Sequence, residues 1–296
     1  MPFKQRVLEI YDKKYKHLLI ITIALLVLAI LQIAIQTATT GDFVNKGISL
    51  KGGSTITILK SVNEAELEQF LRSRFQSIDI TARIITDAGE TIGITIESVA
   101  QDDKEILALL AAIQEKITLA KEDYTIEVTG DALGQSFFRQ TITALIIAFL
   151  LMAIVVFAYF RTFIPSLAVV LPAFSDIVIT LAIFNLSGMK LSTAGIAAFL
   201  MLIGYSVDTD ILLTSRVLKR HEGTVLDRTL GAFKTGMTML TTTFVAAVAA
   251  FILTNSPIVR QIMFIIIFGL IVDALNTWIQ NAAILRIYLE KKHGPH

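Results

Sequence analysis

Cysteine is absent from this chain. That excludes disulfides, thiolate metal sites and thiol nucleophiles. Histidine is almost absent: His17, His221, His293 and His296 all lie outside the apolar segments and show no metal-ligand spacing, so no metal site is expected. There is no surplus of one charge either. Lys and Arg number 26 against 25 Asp and Glu, so no basic field exists to hold nucleic acid. No Gly-x-x-x-x-Gly-Lys-[Ser/Thr] run occurs, which removes the nucleotide-binding loop. Nothing calls for a cofactor, and nothing marks a soluble enzyme. What remains is apolar: 54% of the 296 residues are hydrophobic and only 17% charged. With a mean hydropathy of +0.68, the chain falls in the membrane class.

Six stretches are apolar over roughly the 20 residues needed to cross a bilayer: 18–38, 141–160, 164–186, 192–214, 237–254 and 262–286. The first follows a basic start (Lys4, Arg6, Lys13, Lys14, Lys16) and has no small-x-small cleavage site, so it reads as a retained helix rather than a signal peptide. Pro165 suits a first helical turn, Ser192 or Thr193 suits an N-cap, and Asn255-Ser-Pro257 separates the last two spans. Arg216, Lys219, Arg220, Arg228 and Lys234 share one connection, Arg161 another, and Arg286, Lys291 and Lys292 follow the last span; the opposite short loops offer only Lys190 and Arg260. The positive-inside rule then puts both termini in the cytoplasm.

The expected organisation is an N-terminal segment with the first span (1–38), an outer domain (39–140), spans two to six (141–286) and a cytoplasmic tail (287–296). Within 39–140, strands are expected over Ser54–Leu59, Ile78–Thr86, Thr91–Glu97 and Tyr124–Thr129, the middle two joined at Asp87-Ala-Gly-Glu90. A helix capped by Asn63, with Glu66 completing a capping box, lies between the first two. Another starts at Asp102 or Asp103, with an apolar stripe of Ile106, Leu109, Leu110, Ile113 and Ile117. The order β-α-β-β-α-β is that of a ferredoxin-like α+β fold, which names no function. The fold class is thus a polytopic α-helical membrane protein with six transmembrane helices and one extracytoplasmic ferredoxin-like domain between the first and second.

Acids inside the spans are the candidates for function, because an ionised carboxylate in hydrocarbon costs at least a few kcal/mol and is usually paired or used. Asp208 and Asp210 lie in the fourth span, Asp176 in the third and Asp273 in the last, where Asn276 and Gln280 continue a polar stripe at helical spacing. Two residues apart on a helix, Asp208 and Asp210 point about 200° from each other. Only one of them faces the bundle centre. Asp208 is the favoured carboxylate for binding and releasing a proton or cation, with Asp210 the alternative. Lys234, just before the fifth span, is either a partner for Asp208 or a snorkelling interfacial lysine. Thr241 and Thr242, in Thr241-Thr-Thr243, offer hydroxyls to a carboxylate or to water; small-residue packing is their bland explanation.

Four segments then resemble SecF, the smaller subunit of the SecDF protein-export complex in the RND superfamily. These are Gly47-Ile-Ser-Leu-Lys-Gly-Gly-Ser54 after the first span, Gly130-Asp-Ala-Leu-Gly134 before the second, Gly204-Tyr-Ser-Val-Asp-Thr-Asp210 with Arg216 in the fourth, and Thr238-Met-Leu-Thr-Thr-Thr243 in the fifth. The likeness covers the whole chain and is nearer the archaeal branch. It implies a prokaryotic cell-membrane protein without a cofactor, using the proton or sodium gradient to help unfolded preproteins leave the Sec translocon. Its partners would be a SecD-like subunit, the translocon, the preprotein and the lipid bilayer, with no nucleic acid. The family's fourth-span acid falls on Asp208 in one alignment and on Thr209 in another, so Asp208 and Asp210 both stand. The family's fifth-span Arg falls on Lys234. The alternatives are an RND-type exporter of small molecules or lipids and a structural scaffold of the translocon.

Overall fold

The computed structural model describes residues 11–293, except 12, 61, 77, 88–89, 220–222 and 255. Lys4, Arg6, Arg220, His221, Asn255, His296 and the Ala88-Gly89 turn therefore lie outside the described residues. Six helices are long and apolar enough to cross a membrane. They are α1 (Tyr15–Thr40), α5 (Asp131–Phe160), α6 (Phe163–Leu186), α7 (Thr193–Lys219), α8 (Val225–Leu253) and a final helix built from α9 (Pro257–Leu275), a π-helical turn (Asn276–Asn281) and α10 (Ala282–His293).

Their ends follow local chemistry. Gly41 closes α1 in the left-handed region, φ 78°, with its N–H on the Thr37 carbonyl. Thr224 and Asp227 form a reciprocal capping box at the start of α8. Ser256 accepts from the Val259 N–H, with Pro257 following at the first helical position. Ser192 accepts from the Gly195 N–H at the start of α7. The helices extend past the expected spans. In particular α5 begins at Asp131, ten residues before the hydropathy rise expected at 141, and its first turns pack against α2 through Gly134.

Between α1 and α5 the chain forms α2 (Ile48–Lys51), β1 (Gly53–Ile58), α3 (Glu64–Arg74), β2 (Ile80–Asp87), β3 (Glu90–Ser98), α4 (Asp103–Lys116) and β4 (Tyr124–Thr129). The sheet order is β2-β3-β1-β4 with every neighbour antiparallel. Period-two alternation puts Ile56, Ile58, Ile80, Ile94 and Ile96 on one face, where Leu67, Leu71, Leu109 and Ile113 of the two helices bury them. Asn63 accepts from Glu66 N–H at 3.4 Å, one half of the expected box. Asp102 precedes α4 without a side-chain cap bond.

Three contacts fasten this unit to the bundle. First, α2 packs against the start of α5 so closely that a Cβ on Gly134 would lie 2.7 Å from Gly52 N, and one on Gly52 would meet Asp131. Glycine at these points is a steric requirement. Second, the residues around Leu50 join a cluster with Val44, Phe184, Leu191, Phe199 and Ile265. Third, Lys190 in the α6–α7 loop donates to Asp79 Oδ2 at 2.7 Å and to Thr81 Oγ1 at 2.9 Å, at the start of β2. Gln261 of α9 braces that loop, donating to the Lys190 carbonyl and accepting from Ser192.

α6 and α7 form the middle of the bundle, with half of their apolar windows buried; α5 buries almost none of its own. Ile146, Leu150, Ile154 and Val155 on α5 are exposed, an apolar surface suited to lipid or to another subunit.

Candidate functional site

The middle of the bundle holds a polar cluster that hydropathy alone would not tolerate. Asp176, Ser206, Asp210, Asp273, Asn276, Thr277 and Asn281 are at most 1% exposed. Asp176 comes from α6, one turn beyond Pro172, whose missing N–H interrupts the helix ladder there. Ser206 and Asp210 are four apart on α7 and so share a face. Asp273 lies in the last turn of α9, and the remaining three belong to the π turn.

The hydrogen bonds cross all three helices. Ser206 Oγ donates to Asp176 Oδ2 at 2.5 Å, and Asn276 Nδ2 donates to Asp176 Oδ1 at 2.7 Å. Asn281 Nδ2 donates to Asp210 Oδ1 at 2.8 Å. Thr277 Oγ1 donates to Asp273 Oδ1 at 3.0 Å. Each acid thus has one partner from the same six-residue turn. A π turn closes i→i+5 hydrogen bonds, takes one residue more than an α turn, and is often found at functional sites. It brings Asn276 and Asn281 to two different carboxyls. The α-spaced polar stripe of Asn276 and Gln280 is therefore corrected: Gln280 is wholly buried, but its amide nitrogen and oxygen have no partner among the described residues.

Asp210 Oδ2 and Asp273 Oδ2 are also buried without a partner. Among the described residues, no Lys or Arg forms a salt bridge with any of the three acids. Three carboxyls packed in an apolar bundle without countercharge cannot all be ionised, since each would carry several kcal/mol of desolvation cost plus mutual repulsion. Protons, or a cation taken up between the carboxylates, are the ways to neutralise them. The Asp123 carboxyl is held below its ordinary range by the bond from Lys60 and then by the Ala120 N–H.

The sequence candidates separate into two groups. Asp176, Asp210 and Asp273 come together. Asp208 is exposed on the other side of α7, as its 200° offset from Asp210 requires. Lys234 is exposed on α8 and pairs with neither acid. Thr241 and Thr242 are exposed, and their hydroxyls return to their own helix at the Met237 and Met239 carbonyls. Sequence reasoning missed Ser206, Thr277 and Asn281. Ser206 had a signal, its i−4 spacing from Asp210. Asn281 had only its polarity in an apolar run.

The π turn is packed from α8. Gly236 faces the Trp278 ring, where a Cβ would lie 2.4 Å from Cζ2, and Phe233 meets the same ring edge-on at a 5.1 Å centroid distance. From the N-terminal side, Tyr11 donates to the Trp278 carbonyl at 2.7 Å, and Tyr15 donates to Glu290 at 2.5 Å.

Comparison with known proteins gives a consistent result. Residues 109–291 match the family described as protein export membrane protein SecD/SecF, C-terminal. A Pyrococcus furiosus protein-export membrane protein SecF is 39% identical over 98% of this chain and 97% of its own length. The Methanolacinia petrolearia protein of the same name is 40% identical over 93% of this chain and 94% of its own. A solved Thermus structure, described as SecDF, a translocon-associated membrane protein, superposes with a TM-score of 0.73 at 20% identity. That match takes in 94% of this chain but 38% of the solved one, and establishes the shared fold. Near end-to-end identity of this level, on a six-helix bundle with the same fold, is decisive: the chain belongs to the SecF family of multi-pass prokaryotic protein-export membrane proteins.

Proposed function

We propose that this protein is the SecF-like half of a SecDF complex, in which proton or sodium movement past buried carboxyls is coupled to motion of an outer domain that assists preproteins leaving the Sec translocon. The observation that carries this reading is the Asp176–Asp210–Asp273 cluster: three buried acids on three helices, two with an unpartnered oxygen, and no salt bridge to any of them among the described residues. Such a cluster changes its hydrogen bonding whenever it gains or loses a positive charge. Helices that share those bonds must respond.

Asp210 and Asp176 are the proposed coupling carboxyls, with Asp273 beside them. Asp208, Lys234, Thr241 and Thr242 are placed on faces open to a partner or to lipid. Domain 39–140 is read as ferredoxin-like, supported by its βαββαβ order and antiparallel sheet, and as extracytoplasmic, supported by the distribution of Lys and Arg. The same distribution favours cytoplasmic termini, with residues 287–296 as a cytoplasmic tail. A SecD-like subunit is the expected partner, because the solved relative is much longer than this chain.

The test is ion-stimulated export in vesicles carrying the native complex. Asp210→Asn and Asp176→Asn are expected to assemble normally and lose the stimulated component. Asp208→Asn serves as the comparison. Stimulation that survives at Asp210 and Asp176 but is lost at Asp208 would transfer coupling to the other face of α7. Survival in all three would remove ion coupling through these acids.

A further inference from the structure

The π turn carries an unexplained side chain. Gln280 is 0% exposed and neither end of its amide has a hydrogen-bond partner among the described residues. A buried carboxamide left unsatisfied is costly and uncommon. Its immediate neighbour Asn281 makes the bond to Asp210. Asn276, bonded to Asp176, stands five residues before Asn281 and four before Gln280.

Those spacings have a geometric meaning. A π turn takes one residue more than an α turn to close its hydrogen bonds, and with that extra residue it is Asn281 that stands at Asp210. In an uninterrupted α-helix the positions after the turn shift by one residue, so Gln280 would stand where Asn281 now does. The two residues are chemically equivalent carboxamides, one methylene different in length. We propose that the last span has two registers and that Gln280 is a positioning residue which replaces Asn281 as the partner of Asp210 when the π turn relaxes to α. This rests on the coupling role proposed for Asp210.

The surroundings fit a segment with two settings. Passing from one register to the other turns everything after residue 281 by about 100° about the helix axis. The present register is secured at two places by tyrosine hydroxyls, Tyr11 on the Trp278 carbonyl and Tyr15 on Glu290. The bond to Glu290 would be released or exchanged by that rotation, and the bond to the Trp278 carbonyl lies within the turn that rearranges. The rotation would also carry a change at Asp210 to the end of the chain at α10. Asp273, at the last residue but two of α9, lies before the turn and keeps its place in both registers.

Two measurements test this on the complex in vesicles. Gln280→Met preserves length and flexibility but cannot hydrogen-bond. It is expected to assemble and to lose the ion-stimulated part of export, whereas Gln280→Asn retains most of it. Because the chain has no cysteine, spin labels can be placed uniquely at Lys219→Cys and Lys291→Cys, both exposed positions. Pulsed electron resonance is expected to give distance populations that differ between the otherwise unaltered chain and Asp210→Asn, and a single population in Gln280→Met. Full ion stimulation in Gln280→Met overturns the proposal. So does one common distance in the labelled chain and Asp210→Asn, a result that decides the matter even if Gln280→Met fails to assemble. If Asp210→Asn abolishes stimulation while Gln280→Met does not, the coupling role stands and the two-register proposal falls. If Asp210→Asn exports normally, the coupling role itself falls.

Discussion

Gly231 and Gly236 lie on the same helix, five residues apart, and should respond to alanine in opposite directions. Both sit inside α8, where replacing glycine by alanine gains up to about 1 kcal/mol from backbone entropy. At Gly231 nothing lies within 4 Å of the new Cβ, so that gain should be seen in full. At Gly236 the Cβ would meet Trp278 Cζ2 at 2.4 Å, Cη2 at 2.9 Å and Thr209 Cγ2 at 3.3 Å. The indole cannot swing away freely, because it is 4% exposed and held edge-on by Phe233. Forcing a methyl into such a contact costs about 1–3 kcal/mol. The net effect at Gly236 is therefore a loss of about 0–2 kcal/mol, and the two variants should differ by about 1–3 kcal/mol. At about 2–4 °C per kcal/mol for a chain of this size class, the gap is several degrees in Tm. Trp278 is the only tryptophan, so its fluorescence during thermal unfolding reports on the altered contact itself. Trp278→Phe, which removes the clashing ring atoms, should rescue Gly236→Ala, giving a non-additive double-mutant cycle. A Gly236→Ala protein as stable as Gly231→Ala, with unchanged emission, would refute the close packing of α8 on the π turn.

Other perturbations have equally definite outcomes. Gly134→Ala presses a Cβ to 2.7 Å from Gly52 N, a backbone atom with no rotamer to yield; a loss of about 1–3 kcal/mol is expected, read as faster proteolysis between α1 and α5. Lys190→Ala and Asp79→Ala should show a coupling energy of about 1 kcal/mol or less in a double-mutant cycle, since the Asp79 carboxyl is half exposed. Asp123 ionises more readily folded than free because of Lys60 and the Ala120 N–H. Its stabilisation is therefore present above the ordinary aspartate range and lost as pH falls through the lowered folded value. Melting curves of the wild type and Asp123→Asn should differ at neutral pH and converge in strong acid.

How much of this was legible in the sequence depends on the range of the interaction. Hydropathy located the six membrane helices, and β-branched alternation located the four strands, because both signals are local. The helix α5 starts before the hydropathy rises, because Asp131, Gln135, Ser136, Arg139 and Gln140 keep its first turns polar. The acids stood out as costly residues in apolar runs. Which of Asp208 and Asp210 turns inward was not readable, because a two-residue offset fixes the angle between them but not the direction of the helix face. Asn281 was invisible for a sharper reason. An α-helical template assigns polar partners at three and four residues, and the π turn uses five. The bond from Lys190 to Asp79 joins residues 111 apart, a pairing that only the tertiary structure specifies.

The fastening of the α/β unit to the bundle also sets an order of failure. On one side is the seam where Gly52 and Gly134 bring two backbones into contact, closed by the chain's own entry and exit. On the other is the Lys190 ammonium, reaching Asp79 and Thr81 from the α6–α7 loop. A tilting load applied to the unit will part the half-exposed ion pair first, at small energetic expense and reversibly. Of the two attachments, the glycine seam is the one with no rotamer to yield, so it would be the last to part under such a load.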